Sequence, residues 1–462
     1  MAIVRWLDRE VFVSMRLIVS VVSALAAMVV VAVAGAGGPP VVRAAVPPGA
    51  IQNIVVIDLE NESFDSTFGP NSPAVYLNTT LLSQGELIEN YYATGHVSLD
   101  NYITQVSGQA QTVATNNDCI QNFQTFAGGY VDVTPGTDAP APYVGQVVGD
   151  GCVYPAPTAT NHGAETIGNQ LDAMSAKGGP HITWRAYVED MGKDPVRDFY
   201  GTPDPLGGTD CAHPPIGGTD NTNSASAIDQ FATRHVGFLY FHSVIDDRAY
   251  CDEHVVPLGT VTVGQNGAPD TFQGHLAQDF SKQNTTPAFS FITPNLCNDG
   301  HDAVCKGPNT EGTHVGGLVG ADLWLEHWMP LILDSPAYNS GKMLVVVTFD
   351  EAAASDSTAC CDEPAGPNVA QPGFSTLLAH FGIQNPQGSY PGGGKVGAVV
   401  LNRKYVLPGS VDTTGSYNHY SALRSYEDLL GLTSGGDDGL GHLGFAAERG
   451  LPPFGPDVFN AR

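Results

Sequence analysis

The sequence predicts an α/β fold, a three-layer α/β/α sandwich around a mostly parallel sheet. Short runs of apolar, β-branched or aromatic residues with no polar face alternate with amphipathic stretches long enough for helices. Strands that are apolar on both faces belong in a sheet covered on both sides. The 462 residues are enough to bury a large core, and only 14% of them are charged.

Taken in order, the expected strands are "NIVVID" (53–58), "VGFLYFHSVI" (236–245), "PAFSFITP" (287–294), "KMLVVVTFD" (342–350) and "VGAVVLN" (396–402). Helical patterns lie between and after them, including "GADLWLEHWMPLIL" and "SALRSYEDLLGL". The stretch from about 116 to 230 is rich in Gly, Pro, Thr and Asn and holds three cysteines, so it reads as a loop-rich, disulfide-containing insertion. No internal repeat and no heptad run is present.

The N-terminus has a separate character. Three arginines precede the apolar run "LIVSVVSALAAMVVVAVAGAG" and the small-residue stretch "VVRAAVPPG", the pattern of a secretory signal peptide over residues 1–45 with cleavage after Ala45. A retained anchor from Leu17 to Gly35 is the alternative. Residues 46–462 are expected to form one domain, secreted or held at the cell envelope. The eight cysteines, with no C-x-x-C pair among them, point to disulfides. Their connectivity is open, although Cys297 with Cys305 makes an economical local bridge.

The formal net charge is -28, and removing a leader with four basic and two acidic side chains takes it to -30. Such a chain repels nucleic acid and anionic lipid surfaces. An anionic substrate then requires a strong local positive charge, and few basic side chains are available to supply it. A divalent metal ion would.

Chemistry concentrates where the expected strands end, the edge at which open α/β sheets bind ligands. The first strand runs into Asp58, Glu60 and Asn61, the middle one into Asn295, Asp299, His301 and Asp302, and the fourth into Asp350 and Glu351. His419 stands apart in "NHYS". Carboxylates, an Asn carbonyl and imidazoles together suit a divalent cation of hard or borderline character. In "GHVSLDNYITQVSGQ", Ser98 is a candidate nucleophile or a helix N-cap, with Asn101 as a candidate oxyanion donor and Thr94 and Ser107 as competing hydroxyls. The chain lacks G-x-S-x-G, H-E-x-x-H and G-x-x-x-x-G-K-[ST] motifs, which argues against esterase, zinc protease and nucleotide-triphosphate chemistry.

"VVIDLENESFDSTFG" resembles the E-N-x-S-F-D signature of the bacterial phosphoesterase family that contains acid phosphatases and phospholipases C, within the alkaline-phosphatase-like superfamily. "HVSLDNYITQVSG", "WRAYVEDM", "HVGFLYFHSVID", "TPNLCNDGHD", "VVVTFDEA" and "NHYSALRSYEDLLGL" follow in the family's order, so the resemblance covers about residues 50–435. It implies Ser98 as the phosphorylated nucleophile, Glu60 and Asn61 as metal or phosphate contacts, and His235 as a phosphate or leaving-group contact. It further implies Asp350 and Glu351 as a metal pair, Asn295, Asp299 and His301 as a ligand-rich turn, and His419 as the fold's late histidine. The expected substrate is a phosphorylated small molecule or lipid headgroup, as a monoester before a diester, and no nucleic acid. The expected alternatives are a phospholipase C-type phosphodiesterase and a non-enzymatic metal-binding exported protein. The chain departs from "HPSLPNY" by placing Val97 and Asp100 where relatives carry proline.

Overall fold

Eight strands make one sheet in a computed structural model that describes residues 46–461, apart from 48, 123–126, 177–182, 221, 223, 303, 308–313 and 384–387. They are β1 (Asn53–Leu59), β2 (Glu86–Ile88), β3 (Trp184–Val188), β4 (Val255–Pro257), β5 (Phe289–Thr293), β6 (Met343–Phe349), β7 (Ala398–Leu401) and β8 (Ser410–Asp412), in the spatial order β4-β3-β5-β1-β6-β7-β2-β8. Only β7 runs against the others, pairing antiparallel with β6 and β2. The expected leader and its cleavage point at Ala45 lie outside the described residues. Among those residues no helix is long and apolar enough to cross a membrane.

The central strand β1 pairs in parallel on both sides, with Ile54 opposite Phe289 and Leu344, and Val56 opposite Phe291 and Val346. Every residue from Asn53 to Leu59 is buried, so neither face meets water. On one face, Phe291 meets Tyr102 of helix α1 (Ser98–Ser107), and Phe289 meets Tyr426 of α4 (His419–Leu430). On the other, Tyr187 donates to Asp279 of α2 (His275–Phe280) at 2.6 Å, and α2 packs on α3 (Gly317–Leu333). The sandwich therefore has three layers, as the apolar runs predicted.

One expected strand is a different structure. Residues 236–245 form the short helical turns Gly237–Tyr240 and His242–Ile245. Phe238, Leu239, Tyr240 and Phe241 are all buried, and a buried apolar run alone does not distinguish strand from helix. Gly237 allows the turn to press against α1: a Cβ there would stand 2.3 Å from the Tyr102 carbonyl oxygen. Conversely, the stretch 116–230 contains β3, an inner strand between β4 and β5. Its cysteines are used in Cys119–Cys152 and Cys211–Cys251, with Cys297–Cys305 and Cys360–Cys361 accounting for the rest.

Candidate active site

Three adjacent strands, β5, β1 and β6, deliver their carboxyl ends to one place. Glu60 follows β1, and its N–H donates to the Asp299 carbonyl oxygen at 2.8 Å, which ties it to the turn after β5. Asp350 follows β6, and its N–H donates to the Leu59 carbonyl oxygen at 2.8 Å. Asn61 adopts a left-handed φ of 57°, and its N–H donates to Asp350 Oδ1 at 2.9 Å. These backbone ties fix the three carboxylates relative to one another.

Ser98 is the first residue of α1 and is almost fully buried. Its hydroxyl donates to Glu60 Oε2 at 2.8 Å, and the same oxygen accepts from Asn61 Nδ2 at 2.9 Å. Val97 before it holds φ 83° and ψ 148°, a conformation that β-branched residues rarely adopt. Glu351 anchors this turn by accepting from Val97 N–H at 3.2 Å and by hydrogen bonding His96 Nδ1. His96 Nε2–H donates to the Asp356 carbonyl oxygen at 2.9 Å. A serine at the positive end of a ten-residue helix, beside a buried carboxylate, is placed to meet an anion.

The charges around Ser98 are unpaired. Glu60 Oε1, Asp299 Oδ2, Asp350 Oδ2 and His235 Nε2 are buried with no hydrogen-bond partner. His235 lies 3.5 Å from Glu60 through Nε2 and 3.5 Å from Asp299 through Nδ1, with its ring stacked on Tyr102. Burial, then repulsion from Asp350 and Asp299, raises the Glu60 carboxyl well above its usual range. Burial pushes Asp299 up to about 7 and holds His235 well below an ordinary imidazole. One donor atom each from Glu60, His235 and Asp299 lies within 4.8 Å of the others. Orphaned buried acids beside a neutral imidazole fit the divalent cation that the sequence implied, because an ion would satisfy atoms that nothing else satisfies.

The chain also brings a positive charge of its own close to these acids. Arg234, next to His235, is mostly buried, with Nε 3.4 Å from Asp118 Oδ2, and its charge draws the Asp299 carboxyl down against the upward push of burial. Arg234 and His301 line a cavity of about 290 Å³ together with Asp118, Tyr240, Leu377 and Phe381. Asp118 also accepts from Leu99 N–H at 2.9 Å, so one carboxylate links this arginine to the start of α1. Composition concealed this site cation, and His96 and Asp118 were likewise not expected. Their signal was adjacency: Arg234 to His235, and His96 to the serine turn.

The structure brings Ser98, Glu60, Asn61, Asp299, His235 and Asp350 together, with Glu351 and His301 at the margin. Three expected residues have other work. Both ends of the Asn101 amide are occupied, with Oδ1 accepting from Thr94 and Gly95 N–H groups and Nδ2 donating to the Gly95 and Val97 carbonyls, so it shapes the turn and offers no oxyanion donor. His419 is buried, donating Nε2–H to the Asp350 carbonyl at 2.7 Å and facing the Tyr91 hydroxyl through Nδ1, which leaves no nitrogen for a metal. Burial holds its imidazole down at about 4. Asn295 caps its own turn through Cys297 N–H at 3.0 Å and lines a separate cavity of about 720 Å³. His301 is hydrogen-bonded to Asp302 at 2.9 Å and stands at the cavity wall, its ring centre 6.5 Å from that of His235.

A three-layer α/β protein with a buried serine and unpaired carboxylates past its central strands defines the class. The chain belongs to the Phosphoesterase family, whose model matches residues 71–433. It is 24% identical over 403 residues to the phosphate-repressible acid phosphatase of Penicillium chrysogenum, covering 87% of this chain and 64% of that protein. The chain therefore spans less than two thirds of that relative's length. Among solved structures it is similar to an alkaline phosphatase superfamily protein from Vibrio parahaemolyticus (TM-score 0.40, 11% identity, 84% of this chain and 68% of that one). It is also similar to a lipoteichoic acid synthase from Listeria monocytogenes (TM-score 0.40, 10% identity, 86% and 74%).

Proposed function

We propose that the protein is an exported phosphomonoesterase that works through a phosphoserine formed on Ser98. The observation that carries this reading is the 2.8 Å hydrogen bond from the Ser98 hydroxyl to Glu60, at a helix N-terminus and among orphaned buried acids. Membership of the Phosphoesterase family and likeness to an acid phosphatase support it. Four disulfides support export, since such bonds persist in oxidising compartments.

Glu60, His235 and Asp299, with Asp350 beside them, would hold a divalent cation, which when bound lowers the pKa of a neighbouring hydroxyl and neutralises phosphoryl oxygens. The chain's own residues do the rest. Ser98 Oγ forms a bond to phosphorus while the bond to the alcohol oxygen breaks, and the serine proton passes to Glu60 Oε2. The first turn of α1 and Arg234 stabilise the charge on the phosphoryl oxygens. The proton on Glu60 passes on to the departing alkoxide oxygen, so the alcohol leaves toward the cavity lined by His301. Water oxygen then bonds to phosphorus as the Ser98 Oγ–phosphorus bond breaks, and one water proton restores the serine hydroxyl as phosphate is released.

The substrate is a phosphate monoester of a small molecule or lipid headgroup. Ser98→Ala tests the reading: p-nitrophenyl phosphate hydrolysis should be lost with the unfolding transition unchanged, and full activity in that variant overturns it. p-Nitrophenyl phosphorylcholine on the same preparation separates the ester classes, and preference for the choline ester makes the protein a diesterase.

A further inference from the structure

Beside the edge strand β4, away from Ser98, lies a second group of ligand-type side chains. Asp204 Oδ2 is 2.8 Å from His275 Nε2, and the two side chains are 3% and 15% exposed. Asp210 completes the group: it is 6% exposed, its Oδ1 has no hydrogen-bond partner, and one donor atom from each of the three lies within 4.8 Å of the others. Asp252 nearby also has a buried, unpartnered Oδ1. The disulfide Cys211–Cys251 joins the residue after Asp210 to the residue before Asp252, so the acids are held close by a covalent bond.

Among the described residues no lysine or arginine forms an ion pair with Asp204 or Asp210, and Arg185 acts on Asp210 only at a distance. Arg185 gives its Nη1 to Asp279 at 2.6 Å and only approaches His275 Nδ1, at 3.5 Å. Arg248 is mostly exposed and stands 4.0 Å from Asp252. Two neighbouring buried carboxylates without a counter-charge are costly, and a doubly charged ion would balance them.

We infer that Asp204, Asp210 and His275 form a separate divalent-cation site that fastens the turn at 202–210 to the start of α2. Two carboxylates and one imidazole suit a borderline ion of the Zn²⁺ type better than Ca²⁺ or Mg²⁺, which prefer all-oxygen shells. Binding exchanges the proton between His275 Nε2 and Asp204 for the ion and releases it to solvent. Cys211 N–H donates to Val255 at the start of β4, three strands from β1 and so roughly 14 Å across the sheet from it. The role is therefore structural and does not depend on the catalytic reading.

The test uses the full chain after chelation, titrated with ZnCl₂ and separately with CaCl₂. Metal content is measured by mass spectrometry alongside the melting temperature for wild type, Asp210→Asn and His275→Gln. Wild type should hold one more equivalent of Zn²⁺ than either variant and melt several degrees higher with the ion than without. Both variants should keep p-nitrophenyl phosphate hydrolysis within twofold, which shows that they fold. Equal Zn²⁺ content in all three chains overturns the site. Retention of Ca²⁺ but not Zn²⁺ overturns the donor-set assignment. Glu60→Gln, changed at the other cluster, should keep the edge equivalent, so failure of one site is distinguishable from failure of the other.

Discussion

Two buried charge clusters in this chain are built on opposite principles. Around Arg197, 1% exposed, the guanidinium bonds bidentately to Asp198 at 2.7 Å and to Asp229 at 2.9 and 3.0 Å, with a further bond to the Phe231 carbonyl at 2.8 Å. A few residues on, the chain reaches His235, where Glu60, Asp299 and Asp350 face one another with oxygens unpaired. The contrast teaches how to read buried charge. A saturated cluster needs no partner beyond the chain, whereas the acids around His235 leave acceptors that the proposed function assigns to a ligand.

Replacing members of each cluster tests that division. If the proposed mechanism holds, in which Glu60 takes the Ser98 proton, Glu60→Gln should lower p-nitrophenyl phosphate turnover by about 10³-fold or more. It should leave the denaturation midpoint equal or higher, because one of several repelling acids is gone. Arg197→Met should do the reverse, costing about 3–5 kcal/mol in chemical denaturation by leaving two acids uncompensated, with the active chemistry intact in the folded fraction. A large loss of stability in Glu60→Gln, or none in Arg197→Met, would dissolve the distinction.

A smaller effect appears in pH dependence, read from groups outside both clusters. Burial holds the His213 imidazole down at about 4, so it is neutral when folded and its stabilising contribution is full above about pH 6.5 and lost as pH falls toward 4. Burial pushes Glu189 up to about 7, so its contribution is full below about pH 4.5 and lost as pH rises toward 7. Titrating stability against pH, His213→Gln should flatten the acid limb, worth on the order of 3 kcal/mol, and Glu189→Gln the neutral limb. The smallest expected change is Asn101→Ala, costing about 1–3 kcal/mol from the lost turn bonds, with kcat lowered more than KM.

Much of the architecture was legible. The runs that became β1, β5, β6 and β7 are apolar on both faces because helices cover both, and no other environment suits them. β3 escaped notice because "WRAYV" carries Arg185, whose charge is answered by Asp279 in α2, far away in sequence. The run at 236–245 misled because a buried helical turn and a buried strand share the same hydrophobicity. At the site, residue types and strand ends pointed to Glu60, Asp299, Asp350 and Ser98. They did not reveal that every side-chain polar atom of His419 and Asn101 is already hydrogen-bonded within the fold, because that depends on partners brought in by folding. Arg234 was hidden for the same reason: its role comes from depth, which a count of charges does not register.

Val97 has a consequence for how this protein tolerates change. Holding a β-branched residue at φ 83° costs on the order of 1–3 kcal/mol, and glycine would remove that cost. Val97→Gly is thus a substitution that the backbone favours, yet it would free the segment that aims the Ser98 oxygen. The valine side chain is itself buried, so glycine would exchange that packing for relief of the strain, leaving little net change in stability. What the strained valine secures is the direction of the serine turn, which a count of contacts would not reveal.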